Sequence, residues 1–344
     1  VKRSLARLSI PLREPFATAG GVVAERELLL LRLEDEDGAV GFGEAAPLEP
    51  YDGVTIEEVL AALRHRHRHP HRDGDGGGPP QARAAEEMAR LDLEASRAGR
   101  AIGEPGAEVI PVNRTLAGGP PAEVAERAAE GVREGYSCFK VKVGLPDDED
   151  RVAAVREAVG PWPALRIDAN GAWSPEQAVE TITRLARFDL QLVEQPCATL
   201  DEMAAVRREV GVPIAADESV STPADVRLAA EREACDIVNV KLAPSGGFSA
   251  ARCALREAAA HGLGAFLSST LDGPWGISAA LQLAAGERVQ LACGLATLEL
   301  FDATLALALP LPSDGVLVVP QGPGLGLAID DAAIAEVLVE DLGE

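Results

Sequence analysis

Leu165-Arg166-Ile167-Asp168-Ala169-Asn170-Gly171 is a short, largely aliphatic run that ends on an acid and breaks at Asn-Gly. Leu190-Gln191-Leu192-Val193-Glu194-Gln195-Pro196 repeats that form, with Glu194 standing 26 residues after Asp168, and Pro213-Ile214-Ala215-Ala216-Asp217-Glu218-Ser219 follows with Asp217 another 23 along. Each reads as a buried strand carrying a carboxylate near its C-terminal end. Pro175–Phe188 and Leu200–Val210, between them, carry helical periodicity. The same spacing extends both ways: Lys142 lies 26 residues before Asp168, Lys241 lies 24 after Asp217, and Ser268 and Gly294 follow at 27 and 26. One βα unit of a barrel takes roughly 25 to 30 residues, so these positions recur at the same place on successive strands.

The strand candidates are Val109–Asn113, Cys138–Val143, Leu165–Ala169, Leu190–Glu194, Pro213–Asp217, Asp236–Leu242, Gly264–Ser269 and Gln290–Gly294. Eight strands alternating with helices predict an α/β fold, a modified (β/α)8 TIM barrel over residues 109–309. Residues 1–108 read as an α+β capping domain. It has hairpin strands around the turn Asp35-Glu36-Asp37-Gly38, a loop from Gly41-Phe42-Gly43-Glu44 through Pro50-Tyr51-Asp52-Gly53, and helices over Ile56–Leu63 and Gln81–Ala98. Residues 310–344 fall outside the repeat and are expected to return to the capping domain.

Composition narrows the function. The chain of 344 residues carries a net charge of −23, which disfavours nucleic acid and anionic membrane surfaces as partners. No apolar run has the length of a membrane span, and Val1–Ile10 does not read as a secretory leader. Five widely spaced cysteines, with no Cys-x-x-Cys, suit a reducing, cytoplasmic setting. The tract Arg64–Arg72 holds four of the five histidines but no closed ligand set, and reads as a basic loop.

Lysine is the informative residue. Only four of the 32 basic residues are lysines: Lys2, Lys140, Lys142 and Lys241. Lys140 and Lys142 share one face of a strand because side chains two apart point the same way. Three of the four therefore gather at the predicted barrel mouth, around Asp168, Glu194 and Asp217. Three carboxylates on adjacent strands repel unless a cation lies among them, and oxygen donors favour Mg2+. The ordinary alternative is that the acids cap the helices that follow. Lysines on either side of a metal suit removal of a proton next to a carboxylate, with the metal stabilising the resulting charge. Such a lysine must be neutral when it acts; Lys140 is placed to tune it and Lys142 to act as the base, although the two remain interchangeable at this stage. Nucleophile-elbow, P-loop, dinucleotide-binding and zinc-protease motifs are absent.

The Lys-x-Lys pair, the Asp/Glu/Asp series and the sixth-strand lysine resemble the enolase superfamily, muconate-lactonizing-enzyme subgroup, over almost the whole chain. The resemblance implies Mg2+ on Asp168, Glu194 and Asp217, with Lys142 as base and Lys241 facing it across a small carboxylate substrate. Within the subgroup, Val193–Thr199, Ala216–Ser219, Ser268–Asp272 and Ala292–Thr297 are most similar to o-succinylbenzoate synthases of actinobacterial type. Their reaction is dehydration of a succinyl-hydroxycyclohexadiene carboxylate in menaquinone synthesis, with Lys142 returning its proton to the departing hydroxyl. Ser268, Gly294, Arg166 and Asn170 match substrate-contacting positions. Pro274-Trp275 departs from the usual small residues. The competing readings are racemisation or epimerisation of N-acyl amino acids or dipeptides, and cycloisomerisation. Against dipeptides, Cys293–Thr297 lacks the expected Asp-x-Asp. A homo-oligomer is compatible with the family, but no interface is legible.

Overall fold

The computed structural model describes residues 1–18, 21–68, 78–329 and 331–343. Seven strands form one parallel sheet in sequence order: Arg114–Leu116, Cys138–Lys142, Ala164–Asp168, Leu190–Glu194, Ile214–Ala216, Ile237–Val240 and Gly264–Leu267. Helices such as Pro121–Arg133, Pro175–Leu185 and Phe248–Ala260 connect them. Every residue of Cys138–Lys142 is buried, as expected of a parallel strand covered on both faces.

The expected first and eighth strands need correction. Val109–Pro111 does not open the barrel; it pairs antiparallel with Val316–Val318 in a separate two-stranded sheet. Arg114–Leu116 takes its place beside Cys138–Lys142. Pro111 has no N–H to donate, which suits a short edge pairing rather than an interior ladder. Gln290–Gly294 is not a regular strand. It meets its neighbours through two single bridges, Val112 with Cys293 and Ser268 with Gly294. A Cβ on Gly294 would lie 2.5 Å from Ser268 Oγ, so close approach of the two chains requires glycine there.

Lys2–Thr18, Gly21–Glu34, Val40–Ala45 and Leu338–Asp341 form a second, antiparallel sheet. The predicted turn is present: the Asp35 carboxylate accepts from the N–H groups of Asp37 and Ala39, each at 2.9 Å. The predicted loop at Gly41–Glu44 is instead part of a strand. Gly41 and Gly43 let it lie directly on the backbone of helix Pro80–Arg97, where a Cβ at Gly43 would collide with the Ala85 carbonyl. The C-terminal segment divides its pairing: Leu338–Asp341 joins Lys2–Thr18, while Val316–Val318 joins Val109–Pro111. Arg64–Arg68 continue the helix Ile56–Arg68, and His69–Arg72 lie outside the described residues, as do Ala19 and Gly20. No helix among the described residues is long and apolar enough to cross a membrane.

Candidate active site

Strand register builds the site. Lys142 pairs with Asp168, and Asp168 with Glu194, so the three stand in one row across adjacent strands. Asp217 lies two residues beyond Ala215, the partner of Glu194, and Lys241 and Ser268 each lie one residue beyond a strand end. The acids do not cap the following helices. Ser174, Thr199 and Thr222 do so, each in a capping box with Gln177, Glu202 and Asp225 respectively. A cap of this kind contributes about 1 kcal/mol to its helix and leaves Asp168, Glu194 and Asp217 for other work.

These carboxylates face the three lysines. Lys140 Nζ lies 3.0 Å from Asp168 Oδ2 and 3.1 Å from Glu194 Oε1. Lys142 Nζ donates to Asp168 Oδ2 at 2.7 Å and to Asn170 Oδ1 at 2.8 Å. Lys241 Nζ is paired with Asp217 Oδ1. All six charged groups are buried. Burial alone favours neutral Lys140, but Asp168, Glu194 and Asp217 outweigh it and hold its ammonium well above the usual range. Burial likewise disfavours ionised Asp168, yet Lys140 and Lys142 hold its carboxyl far below the usual range. Glu194 is pushed up to about 7 by burial and by the charge of Asp168.

A cavity of about 430 Å³ opens over this row. Lys140, Lys142, Asn170, Asp217, Lys241, Ser268 and Gly294 line it. Phe16, Val23, Leu48, Leu271 and Leu300 supply apolar wall. Ser268 Oγ is buried without a hydrogen-bond partner. Arg166 is not brought to the cavity. Its fully buried guanidinium donates to Gln191 Oε1 at 2.6 Å and the Ala292 carbonyl at 2.7 Å, and lies 4.9 Å from the Phe266 ring centre. It sits two residues below Asp168 on the same strand face, inside the barrel. Trp275 is likewise buried, with its ring 6.1 Å from that of Phe42.

Sequence reasoning missed Tyr51, on the short helix Glu49–Asp52. Its hydroxyl accepts from Lys241 Nζ at 2.7 Å and donates to Asp217 Oδ1 at 2.9 Å. Burial, reinforced by Asp217, holds this phenol well above its usual pKa. Its signal was rarity: the chain has two tyrosines, and this one follows Pro50 in a predicted loop. Glu218 follows Asp217 into the cavity lining, and Asn239 donates to Glu194 Oε1 at 3.0 Å; neither belongs to the periodic set of strand-end residues. Backbone strain also gathers here: Asn170 and Gln195, just past two of the acids, have φ of +46° and +38°, and Leu271 has +59°.

Residues 123–333 match the enolase C-terminal domain-like family. The chain belongs to the enolase superfamily. Among relatives of this superfamily enzyme, it is 36% identical to the o-succinylbenzoate synthase of Thermobifida fusca (strain YX) over 342 residues, covering 96% of this chain and 90% of that one. The N-succinyl Arg/Lys racemase of Bacillus cereus ATCC 14579 superposes with a TM-score of 0.92 at 26% identity, covering 99% of each chain. The dipeptide epimerase of Enterococcus faecalis V583, solved with Mg and the dipeptide L-Leu-L-Tyr, gives a TM-score of 0.87 at 27% identity, covering 95% of this chain and 99% of that one. Synthase, racemase and epimerase relatives thus share one superfamily scaffold.

The donor chemistry fits a hard divalent ion: three buried carboxylates on neighbouring strands, with only oxygen to offer. Among the described residues no three acids stand as a closed coordination set, and these three are turned onto ammonium groups instead. The charges explain why a cation suits them. Three carboxylates oppose three lysines; if Lys142 becomes a neutral base, the row is left one positive charge short.

Proposed function

We propose that this protein is a Mg2+-dependent o-succinylbenzoate synthase of the enolase superfamily, acting on a succinyl-hydroxycyclohexadiene carboxylate. The observation that carries this reading is the cavity lining. Lys140, Lys142 and Lys241 suit a substrate with two carboxylates, and apart from Asp217 and Glu218 the lining contains no acid. Among the described residues, the wall from Ser268 to Thr297 therefore offers no carboxylate to the cavity for pairing with a dipeptide ammonium. Identity of 36% to a synthase over nearly the whole chain supports the same reading.

Asp168, Glu194 and Asp217 would hold Mg2+, as Mg accompanies the related epimerase. The ion supplies positive charge for the substrate carboxylate as the α-proton leaves. Neutral Lys142 takes that proton. The electron pair of the broken C–H bond forms the ring double bond as the C–O bond of the neighbouring hydroxyl breaks. Lys142 then gives its proton to the departing hydroxyl, and water and the aromatic product leave. Lys241 remains an ammonium and faces the developing negative charge. Ser268 Oγ, Asn170 and the backbone at Gly294 serve substrate placement, with the partnerless Ser268 hydroxyl the clearest donor.

A second reading, racemisation of N-succinyl amino acids, is favoured by the 0.92 TM-score to a racemase and by Lys142 and Lys241 lining one cavity from different strands. One experiment separates them. Loss of diene absorbance that needs Mg2+ and disappears in Lys142→Ala supports the synthase. A folded, Mg2+-loaded protein inert towards the diene but racemising N-succinyl amino acids overturns it.

A further inference from the structure

Glu218 takes no part in the steps above, yet it lines the cavity. Its Oε1 accepts from Asn170 Nδ2 at 2.8 Å, and its Oε2 is buried with no partner. The other end of the same amide, Asn170 Oδ1, accepts from Lys142 Nζ at 2.8 Å. A chain of two hydrogen bonds therefore runs from Glu218, beyond strand Ile214–Ala216, through Asn170, beyond strand Ala164–Asp168, to the end of strand Cys138–Lys142.

A primary amide has two ends alike in shape and opposite in polarity. Glu218 Oε1 is placed as an acceptor, so it takes the NH2 end of Asn170 and leaves the amide oxygen for Lys142. The backbone beneath is already fixed: Asn170 N–H donates to Asp168 Oδ1 at 3.0 Å, and Gly171 N–H to the Gln195 carbonyl at 2.7 Å. The remaining freedom is rotation of the amide, which turned over would present N–H to Nζ. We propose that Glu218 is a positioning residue for Lys142, acting through the orientation of the Asn170 amide. The proposal rests on the reading of Lys142 as the base. The hydrogen-bonded chain reaches one lysine only; Lys241 is held by Tyr51 and Asp217 and meets Glu218 through charge alone.

The chain's few lysines make a direct test practical. The Mg2+-loaded protein is trace-labelled with acetic anhydride, and mass spectrometry reports labelling of Lys142 relative to Lys241 in the same molecule. Glu218→Leu and Asn170→Ala are expected to raise that ratio about tenfold or more, the scale of one lost hydrogen bond to a charged group. Glu218→Gln keeps an acceptor oxygen while removing the charge, and is expected to return the ratio towards wild type. An unchanged ratio in Glu218→Leu overturns the proposal. So does an equal rise in the Gln and Leu variants, which would point to charge rather than orientation. Glu218→Ala replaces the Leu variant if leucine disturbs folding. In turnover, kcat is expected to fall about tenfold in Glu218→Leu with KM nearly unchanged, and to recover in Glu218→Gln; a rise in KM alone would make Glu218 a substrate contact and overturn the positioning role. If wild type turns over neither the diene nor N-succinyl amino acids, the proposed function fails, while the labelling ratio still decides the role of Glu218.

Discussion

Lys142 is held from within the barrel, by Asp168 on the neighbouring strand and Asn170 just past it, whereas Lys241 is shared between Asp217 of the barrel and Tyr51 of the N-terminal segment. The first arrangement follows from the register of one sheet. The second depends on how a separate segment is seated on that sheet. Two buried groups do the seating. Arg26 donates to the Ala46 carbonyl at 2.6 Å and the Thr270 carbonyl at 3.2 Å, tying the segment before Tyr51 to the cavity wall. Glu44 accepts from the N–H groups of Gly273 at 2.7 Å and Gly276 at 3.1 Å, at the start of helix Pro274–Gly286. One lysine is therefore set by secondary structure, and the other by docking.

The largest expected effect tests the barrel side. Lys142→Ala should lower turnover by at least about 10²- to 10⁴-fold, the range for a positioned general base. An unchanged far-ultraviolet circular dichroism spectrum would attribute the loss to chemistry. Retention of more than a tenth of the activity would transfer the base role to Lys140 or Lys241.

Mg2+ should act on both sides, because Asp168 and Asp217 meet different lysines. At about 100 times its Kd it should stabilise the folded protein by ~2.7 kcal/mol, visible as a rise in Tm. Glu194→Gln should abolish most of that rise, and EDTA should remove turnover. A full Mg2+ shift in the Gln variant would exclude Glu194 as a ligand.

Tyr51→Phe sharpens the contrast. It removes one hydroxyl between Lys241 and Asp217, worth about 1.5 to 3 kcal/mol where the partners are charged, or roughly tenfold or more in a step that uses Lys241. With the two enantiomers of an N-succinyl amino acid, α-proton exchange in D2O should slow more on one face than on the other. Equal slowing of both would show that Tyr51 does not act through Lys241 alone.

The last expected effect concerns docking and is read in stability alone. Burial, with the charge of Asp272 adding to it, pushes Glu44 up to about 8 in the folded protein, from an ordinary 4.5. Between those values the folded state binds the proton more tightly than the unfolded chain does. The stability this confers is full below about 4.5 and is lost as pH rises towards about 8, at no more than about 1.4 kcal/mol per unit. Urea midpoints of the metal-free protein and of Glu44→Gln should lie close together at the acid end of that window and separate as pH rises, the wild type falling below the Gln variant, if Glu44 titrates this way. Parallel curves would place the titration elsewhere.

The site on the barrel side was legible because it is periodic. Asp168, Glu194 and Asp217 recur at nearly one βα unit, and Lys142 and Lys241 continue that spacing. Arg166 misled because its position on a site-bearing strand was right while its depth was not: strand alternation gives the face, but not how far down the barrel a side chain lies. Gly41–Glu44 misled for another reason. Two glycines suggest a loop, yet here they admit a helix backbone against a strand.

The parallel α/β repeat, the convergence of three acids and three lysines and the net acidic character could be read along the chain. These follow from period and composition, which are local properties. The three-dimensional fold was needed to bring Gly294 against Ser268 and to carry Tyr51 to Lys241 across 190 residues of chain. Contacts at that separation depend on how whole elements pack, and no residue pattern along the chain encodes the angle at which one sheet settles on another.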